Sequence, residues 1–201
     1  MEPYSLRGEL CELTPFTPAD TQRVFDYCQD VEVQRWVPVP VPYRLEDAAV
    51  FTTSTAQKGW DGIGFQAERT WAVRIPGVGG KPHLAGSVAL RPDPPGDSAE
   101  IGYLLAADCR GRGVATDAVN TLVAHAFGEM KMRRVFWQAV VGNWPSRRLA
   151  VRCGFKIEGT LRSHLMLRGQ AVDAWVGTIL AEDRARADDY WTEDGRVRLW
   201  D

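Results

Sequence analysis

The spacing of apolar positions changes several times along this chain, and each change marks an element. From 114 to 127 the apolar residues come in pairs, Val114/Ala115, Ala118/Val119, Leu122/Val123 and Ala126/Phe127, each pair one turn after the last. That spacing predicts a helix with one continuous buried stripe. Residues 99–105 and 134–141, rich in β-branched and aromatic side chains, read as strands before and after it. Further out, residues 10–13 suit a first strand, 18–28 a helix, and 45–60 a second helix behind a Pro-rich segment. Residues 70–75 and 83–90 read as neighbouring strands parted by the turn Pro76-Gly77-Val78-Gly79-Gly80. The interval from Arg91 to Ser98, with its three prolines, reads as a loop. Beyond Gly142, Pro145 suits the first turn of a short helix with Leu149, Ala150 and Cys153 inward and Gly154 at its end. Phe155 then starts another strand, residues 171–180 form a last core strand, and 191–200 suit a small hairpin around Asp194-Gly195. The sum is an α+β chain without internal repeats.

Composition narrows the function classes. The 201 residues are 45% hydrophobic, enough for one domain with a sizeable core. With 24 basic against 26 acidic side chains the net charge is −2, which argues against a general nucleic-acid binder. No apolar run reaches membrane-spanning length, and the start of the chain lacks a secretory apolar core. Cys11, Cys28, Cys109 and Cys153 show no metal-type spacing, so thiols in a reducing cytoplasm are the plain expectation. His83, His125 and His164 show none either, and no metal is expected.

The stretch that carries chemistry is Asp108-Cys109-Arg110-Gly111-Arg112-Gly113-Val114-Ala115-Thr116, a glycine-bearing loop that opens the long helix. A helix start presents unpaired N–H groups and the positive end of the macrodipole, so an anion gains there. Gly111 and Gly113 let it approach, and Arg110 and Arg112 supply charged forks. Together with Arg147 and Arg148 they concentrate positive charge locally, as one anionic ligand requires. A P-loop is excluded because its lysine is missing, and a dinucleotide fingerprint because Thr116 stands where its third glycine belongs. After the next strand, Asn143 and Ser146 both sit at a helix entrance. Capping alone accounts for those residue types, and the spacing from the Arg-Gly loop is what adds a cofactor reading.

Taken together, Ala99-Glu100-Ile101-Gly102-Tyr103, Arg110-x-x-Gly113-x-Ala115, Asn143-x-x-Ser146, Cys153-Gly154-Phe155 and Glu158-Gly159-Thr160-Leu161-Arg162 resemble the GNAT superfamily of N-acetyltransferases. Within it they are similar to the branch, named RimJ/RimL-like, that acetylates N-terminal amines of ribosomal proteins. The resemblance extends to Gly169 and Asp173, and back to Leu10-x-x-Leu13-x-x-Phe16. It implies an acyltransferase domain over residues 8–183, with 184–201 as an extension, built on a mixed, mostly antiparallel central sheet flanked by helices. It also implies acetyl-CoA, or another acyl-CoA such as succinyl-CoA, as donor, an amine acceptor, and a homodimer.

The residues acquire roles by the same resemblance. Leu104 and Leu105 would lie where backbone N–H groups polarise the thioester carbonyl. Arg110, Gly111, Arg112, Gly113, Val114, Ala115 and Thr116 would cradle the diphosphate. Asn143 would hold the pantetheine arm, Ser146 would protonate the departing sulfur, and Glu100 would draw the amine proton through a water. Tyr103, of opposite parity to Glu100, faces the other side of the strand and is assigned to the core. Trp36 and Tyr43, on a chain stiffened by three prolines, are candidates for the acceptor wall. A small amine, a succinyl donor met by Arg35 or Arg162, and a non-catalytic acyl-CoA sensor are the alternatives.

Overall fold

The computed structural model describes residues 2–61, 68–93 and 96–185. Eight strands form one sheet in the order β1-β2-β3-β4-β5-β6-β8-β7. They are β1 (Leu6–Arg7), β2 (Glu12–Thr14), β3 (Arg69–Pro76), β4 (Pro82–Asp93), β5 (Ser98–Leu105), β6 (Arg134–Val140), β7 (Lys156–Leu167) and β8 (Gln170–Leu180). Every neighbouring pair is antiparallel except β5 and β6, which are parallel because the long helix carries the chain back between them. The expected mixed, mostly antiparallel sheet flanked by helices is the observed architecture, in a single domain.

The helices are α1 (Thr21–Cys28), α2 (Val31–Trp36), α3 (Leu45–Val50), α4 (Ala56–Asp61), α5 (Val114–Gly128), α6 (Trp144–Arg152) and α7 (Ala181–Ala185). The expected helix over 45–60 is α3 and α4 joined through a π-helical segment, Phe51–Thr55. In α5 the paired stripe is buried as its spacing requires: Val114, Ala118, Val119, Leu122, Val123 and Ala126 face the sheet. Leu122 is fully buried. Leu122→Ala is expected to lower stability by about 2–5 kcal/mol, since the site loses the three carbons beyond Cβ and keeps part of the cavity. Chemical denaturation reads this, and a loss below ~1 kcal/mol would mean the stripe is not the sheet contact.

Three boundaries differ from the sequence reading. The strand expected over 10–13 is β2 at Glu12–Thr14, preceded by the short β1 at Leu6–Arg7, because the Asp117 carboxylate on α5 accepts the N–H groups of Glu9, Leu10 and Cys11 at 3.0, 2.9 and 3.1 Å. Amides captured by a side chain are lost to the ladder. Part of the supposed loop from Arg91 to Ser98 is strand: β4 runs to Asp93, with Pro92 opposite Ala99 and Asp93 opposite Ser98. Pro92 is tolerated because the β3 ladder has already ended at Arg69 opposite Leu90, so its missing N–H breaks no bond on that side. Helix α2 over Val31–Trp36 has no counterpart in the sequence reading; Asp30 caps it, accepting the Glu32 N–H. The expected 191–200 hairpin lies outside the described residues.

Candidate functional site

The site forms where the parallel pair comes apart. β5 and β6 share only Ser98/Arg134, Ala99/Val135 and Glu100/Phe136; beyond Glu100 the two strands have no register partners in each other. On its other edge β5 stays paired to β4 as far as Leu105 opposite Gly86. The Leu104 carbonyl lies so close to Gly86 that a Cβ there would sit 2.1 Å from its oxygen, so only glycine allows this approach. The Ala106 N–H is donated to Ala85 on β4 (2.8 Å). Successive strand amides alternate in direction, so that bond turns the Leu105 N–H the other way, into the gap.

At the end of β5 the chain enters the glycine loop. Gly113 caps α5 with φ 80°, a left-handed conformation that favours glycine, and Gly111 (φ 77°) is also left-handed. Gly111, Arg112 and Gly113 are exposed, and a Cβ built on Gly111 would meet nothing within 4 Å. Val114 is buried beneath them, and Ala115 and Thr116 are half-buried. The loop is thus an open helix start whose first amides face away from bulky side chains. Arg110 departs from its expected part. Its Nε donates to the Leu105 carbonyl (2.9 Å) and its guanidinium pairs with Asp30 at 2.7 Å, which ties the loop to the start of α2. Arg147 likewise lies over the Trp144 and Trp175 rings, 5.6 and 5.4 Å from their centroids. The four arginines are therefore not pooled on one spot.

Across the gap, Asn143 caps α6 by accepting the Ser146 N–H (3.3 Å), the structural role open to it from the start. Ser146 does more. Its hydroxyl accepts from Trp137 Nε1–H on β6 (3.0 Å) and donates to the Tyr103 oxygen (3.0 Å), while the Tyr103 hydroxyl donates to the Ser146 carbonyl (2.9 Å). Tyr103 packs against the core, but its hydroxyl belongs to this network, a correction to the purely structural assignment. Burial pushes its phenol well above the usual range, so it stays neutral. Ser146 is thus held by β5 and β6 at the point where they separate.

Glu100 occupies the last paired position before the gap, on the opposite face from Tyr103 as parity requires. Its register partner on β4 is Arg91, which ion-pairs with it at 2.9 Å and also holds Glu68. The pair was invisible while 91–98 read as a loop. Of the two acceptor-wall candidates, Trp36 is half-buried with its Nε1–H donated to Glu32 (3.0 Å); its ring lies 3.5 Å from where a Gly142 Cβ would be, beside the end of β6. Tyr43 is corrected: only 7% exposed, it packs in the core next to Cys28, and that burial removes it from an open wall.

His83, Asp108 and Cys109 converge within 4.8 Å just before the glycine loop. The Arg23 guanidinium fills the centre, 2.7 Å from Asp108 and 3.0 Å from His83 Nε2, so the cation of this cluster is an arginine. All four cysteines are buried and none is in a disulfide. Among the described residues no helix is long and apolar enough to cross a membrane.

A mixed sheet that opens at its one parallel pair, between a glycine-bearing helix start and a capped second helix, is the layout of the N-acyltransferase fold. Residues 11–156 match the family model described as an acetyltransferase (GNAT) domain, and the chain belongs to that family. It is 38% identical over 91 residues, 45% of the chain, to a Bacillus subtilis (strain 168) protein named "Putative ribosomal N-acetyltransferase YdaF", covering 50% of that protein. It is 35% identical over 72 residues to the ribosomal-protein-serine acetyltransferase of Escherichia coli (strain K12), covering 36% of this chain and 40% of that one. The chain thus spans about half or less of the length of these curated relatives. Its fold is shared with the solved RimL ribosomal L7/L12 alpha-N-protein acetyltransferase in complex with coenzyme A, at TM-score 0.74 and 17% identity, covering 88% of this chain and 98% of that one.

Proposed function

We propose that the protein is an acyl-CoA-dependent N-acyltransferase that moves an acetyl group from acetyl-CoA to a primary amine, the α-amine of a protein N-terminus being the acceptor class. The observation that carries this reading is the gap after Glu100/Phe136. It leaves the Leu105 amide facing inward, with the α5 loop at one end and Ser146 at the side. Family membership and the names of the relatives support it.

The donor is a substrate whose diphosphate would rest on the amides of Gly111 to Thr116, with its pantetheine arm along the open edge of β5. The Leu105 N–H would then polarise the acyl carbonyl, and Ser146 would stand beside the leaving sulfur. Because Trp137 and Tyr103 hold the Ser146 hydroxyl, its position is set before substrate arrives. An α-amine has a pKa near ~7.8 and lysine near ~10.4, so deprotonating lysine at neutral pH costs roughly 3.5 kcal/mol more. A site whose nearest carboxylate is already ion-paired to Arg91 suits the less basic amine. The buried thiols fit a cytoplasmic setting. A homodimer, carried over from the resemblance, is tested by light scattering.

The reading is tested by thermal shift with acetyl-CoA, succinyl-CoA, CoA, ATP and NAD at equal concentration, followed by transfer to peptide N-termini and lysine peptides. Stabilisation by the CoA compounds alone and acetylation of the α-amine are expected; no shift with any of them would end the enzyme assignment. Ser146→Ala is expected to lower kcat roughly 10²-fold with acetyl-CoA affinity nearly unchanged. It is also expected to cost about 1–3 kcal/mol of stability, because the Trp137 N–H loses its acceptor. A variant at full turnover would return Ser146 to a structural role.

A further inference from the structure

From the bulge in the edge strand β7 we infer that His164 takes the proton of the acceptor amine. This rests on the acyltransferase reading above and adds a proton acceptor that the sequence did not assign.

Between Leu161 opposite Ala174 and Leu165 opposite Val172, β7 advances by four residues while β8 advances by two. The surplus forms a bulge at Arg162-Ser163-His164, with Ser163 at φ 50° and its N–H donated to Asp173 of β8 at 2.9 Å. A left-handed serine fixed by a side-chain acceptor is a shaped feature, and it redirects the residue after it. His164 reaches past β8 to β6, where its Nε2 lies 3.0 Å from Gln138 Oε1.

Gln138 places that imidazole in the site. Glu100 and Phe136 are register partners in a parallel pair and share a face; Gln138, two residues on, shares it too, about 7 Å further into the opened part of β6. The tip of the same hairpin is strapped across: Arg168 donates to the Val37 carbonyl at 3.3 Å, just after Trp36. The acceptor side is therefore bounded by Trp36 and by the His164 bulge. The tautomer that donates its Nε2 hydrogen to this amide oxygen leaves the Nδ1 lone pair available to the acceptor amine. His164 is exposed, so a proton taken there passes to bulk water. Glu100, by contrast, already has one oxygen on Arg91. The charged groups of this face among the described residues include Glu100, Arg91 and Glu68, and Arg134, which lies over the Phe136 ring and pairs with Asp93 at 3.7 Å, with Asp173 under the bulge and Arg162 beside it in the chain.

The acceptor ammonium gives one proton to Nδ1 and thence to water; the neutral nitrogen forms the bond to the acyl carbon, and the carbon–sulfur bond breaks. The second nitrogen proton ends on the sulfur, so amide and thiol leave with one net proton released.

The test compares wild type, His164→Ala and Glu100→Gln with acetyl-CoA and an N-terminal peptide, reading kcat at saturating acceptor across pH. Wild-type transfer is the control on the underlying reading; if it is absent, the acyltransferase reading itself fails. For His164→Ala the inference expects kcat lower by roughly 10²-fold or more, the fall in rate at acid pH lost, partial rescue by added imidazole, and an unchanged thermal shift with acetyl-CoA. A His164→Ala enzyme that keeps its acid limb and near-wild-type kcat overturns the inference, and loss of that limb in Glu100→Gln would then assign the proton to Glu100.

Discussion

Gly113→Asp is expected to weaken acetyl-CoA binding by about 10³-fold while the protein still folds. Gly113 sits at the N-cap of α5 in the left-handed region, and an ideal Cβ there lies 3.2 Å from Leu10 Cδ1, a flexible and exposed neighbour. Aspartate is among the side chains that tolerate this conformation and favour a helix start, so α5 survives the change. Its carboxylate, however, takes up the same amides that would receive the diphosphate. At ~4 Å from a phosphate oxygen the like charges repel by roughly 4 kcal/mol at an effective dielectric near 20, which is the stated thousandfold. Gly113→Ala separates the two contributions: it carries the backbone strain without the charge and is expected to bind more tightly than the aspartate variant. Calorimetric titration with acetyl-CoA reads both, and equal affinity in wild type and Gly113→Asp would make this loop an ordinary helix entrance.

The largest loss of stability is expected from Asp20→Ala. Asp20 is 6% exposed and meets Arg74 of β3 through both oxygens, at 2.9 and 2.8 Å, while also accepting the Thr17 N–H at 2.8 Å. Removing the carboxylate leaves a mostly buried guanidinium without its charge partner and unties the turn before α1 from the sheet. Losing one partner of such a pair costs about 3–5 kcal/mol, and at about 2–4 °C per kcal/mol for a chain this size the melting temperature falls by roughly 6–20 °C. Burial alone would raise the Asp20 pKa, but the Arg74 and Thr17 hydrogen bonds outweigh it and hold the carboxyl below its usual range. A carboxyl whose folded pKa is depressed contributes stability that is complete above its unfolded value, near ~3.9, and is lost as pH falls through the folded value. Asp117 is depressed in the same way by the loop amides it holds, and adds to the same acid window. Denaturation at neutral pH and below pH ~4 is expected to show a steep fall in wild type and a shallower one in Asp20→Asn. Parallel curves would show that the Arg74 pair carries none of the pH dependence.

The chain by itself determined its elements wherever one physical signal was strong and local. Paired apolar residues at helical spacing marked α5, glycines marked the loop before it, Asn143-x-x-Ser146 marked the start of α6, and strand parity put Glu100 and Tyr103 on opposite faces. These depend on residues a few positions apart, so the sequence displays them directly. The tertiary structure decided everything that needed two distant segments to meet. Asp117 captured the amides of residues 9–11 and delayed the start of β2. Asp30 took Arg110 away from the loop's outer side, Arg91 paired with Glu100 once β4 proved longer than its prolines suggested, and Trp137 and Tyr103 gathered around Ser146. The gap between β5 and β6 and the β7 bulge that carries His164 across the sheet depend on register, which no single strand encodes. A strand's sequence states which residues share a face; which neighbour it pairs with, and where that pairing stops, is set by the packing of the whole sheet.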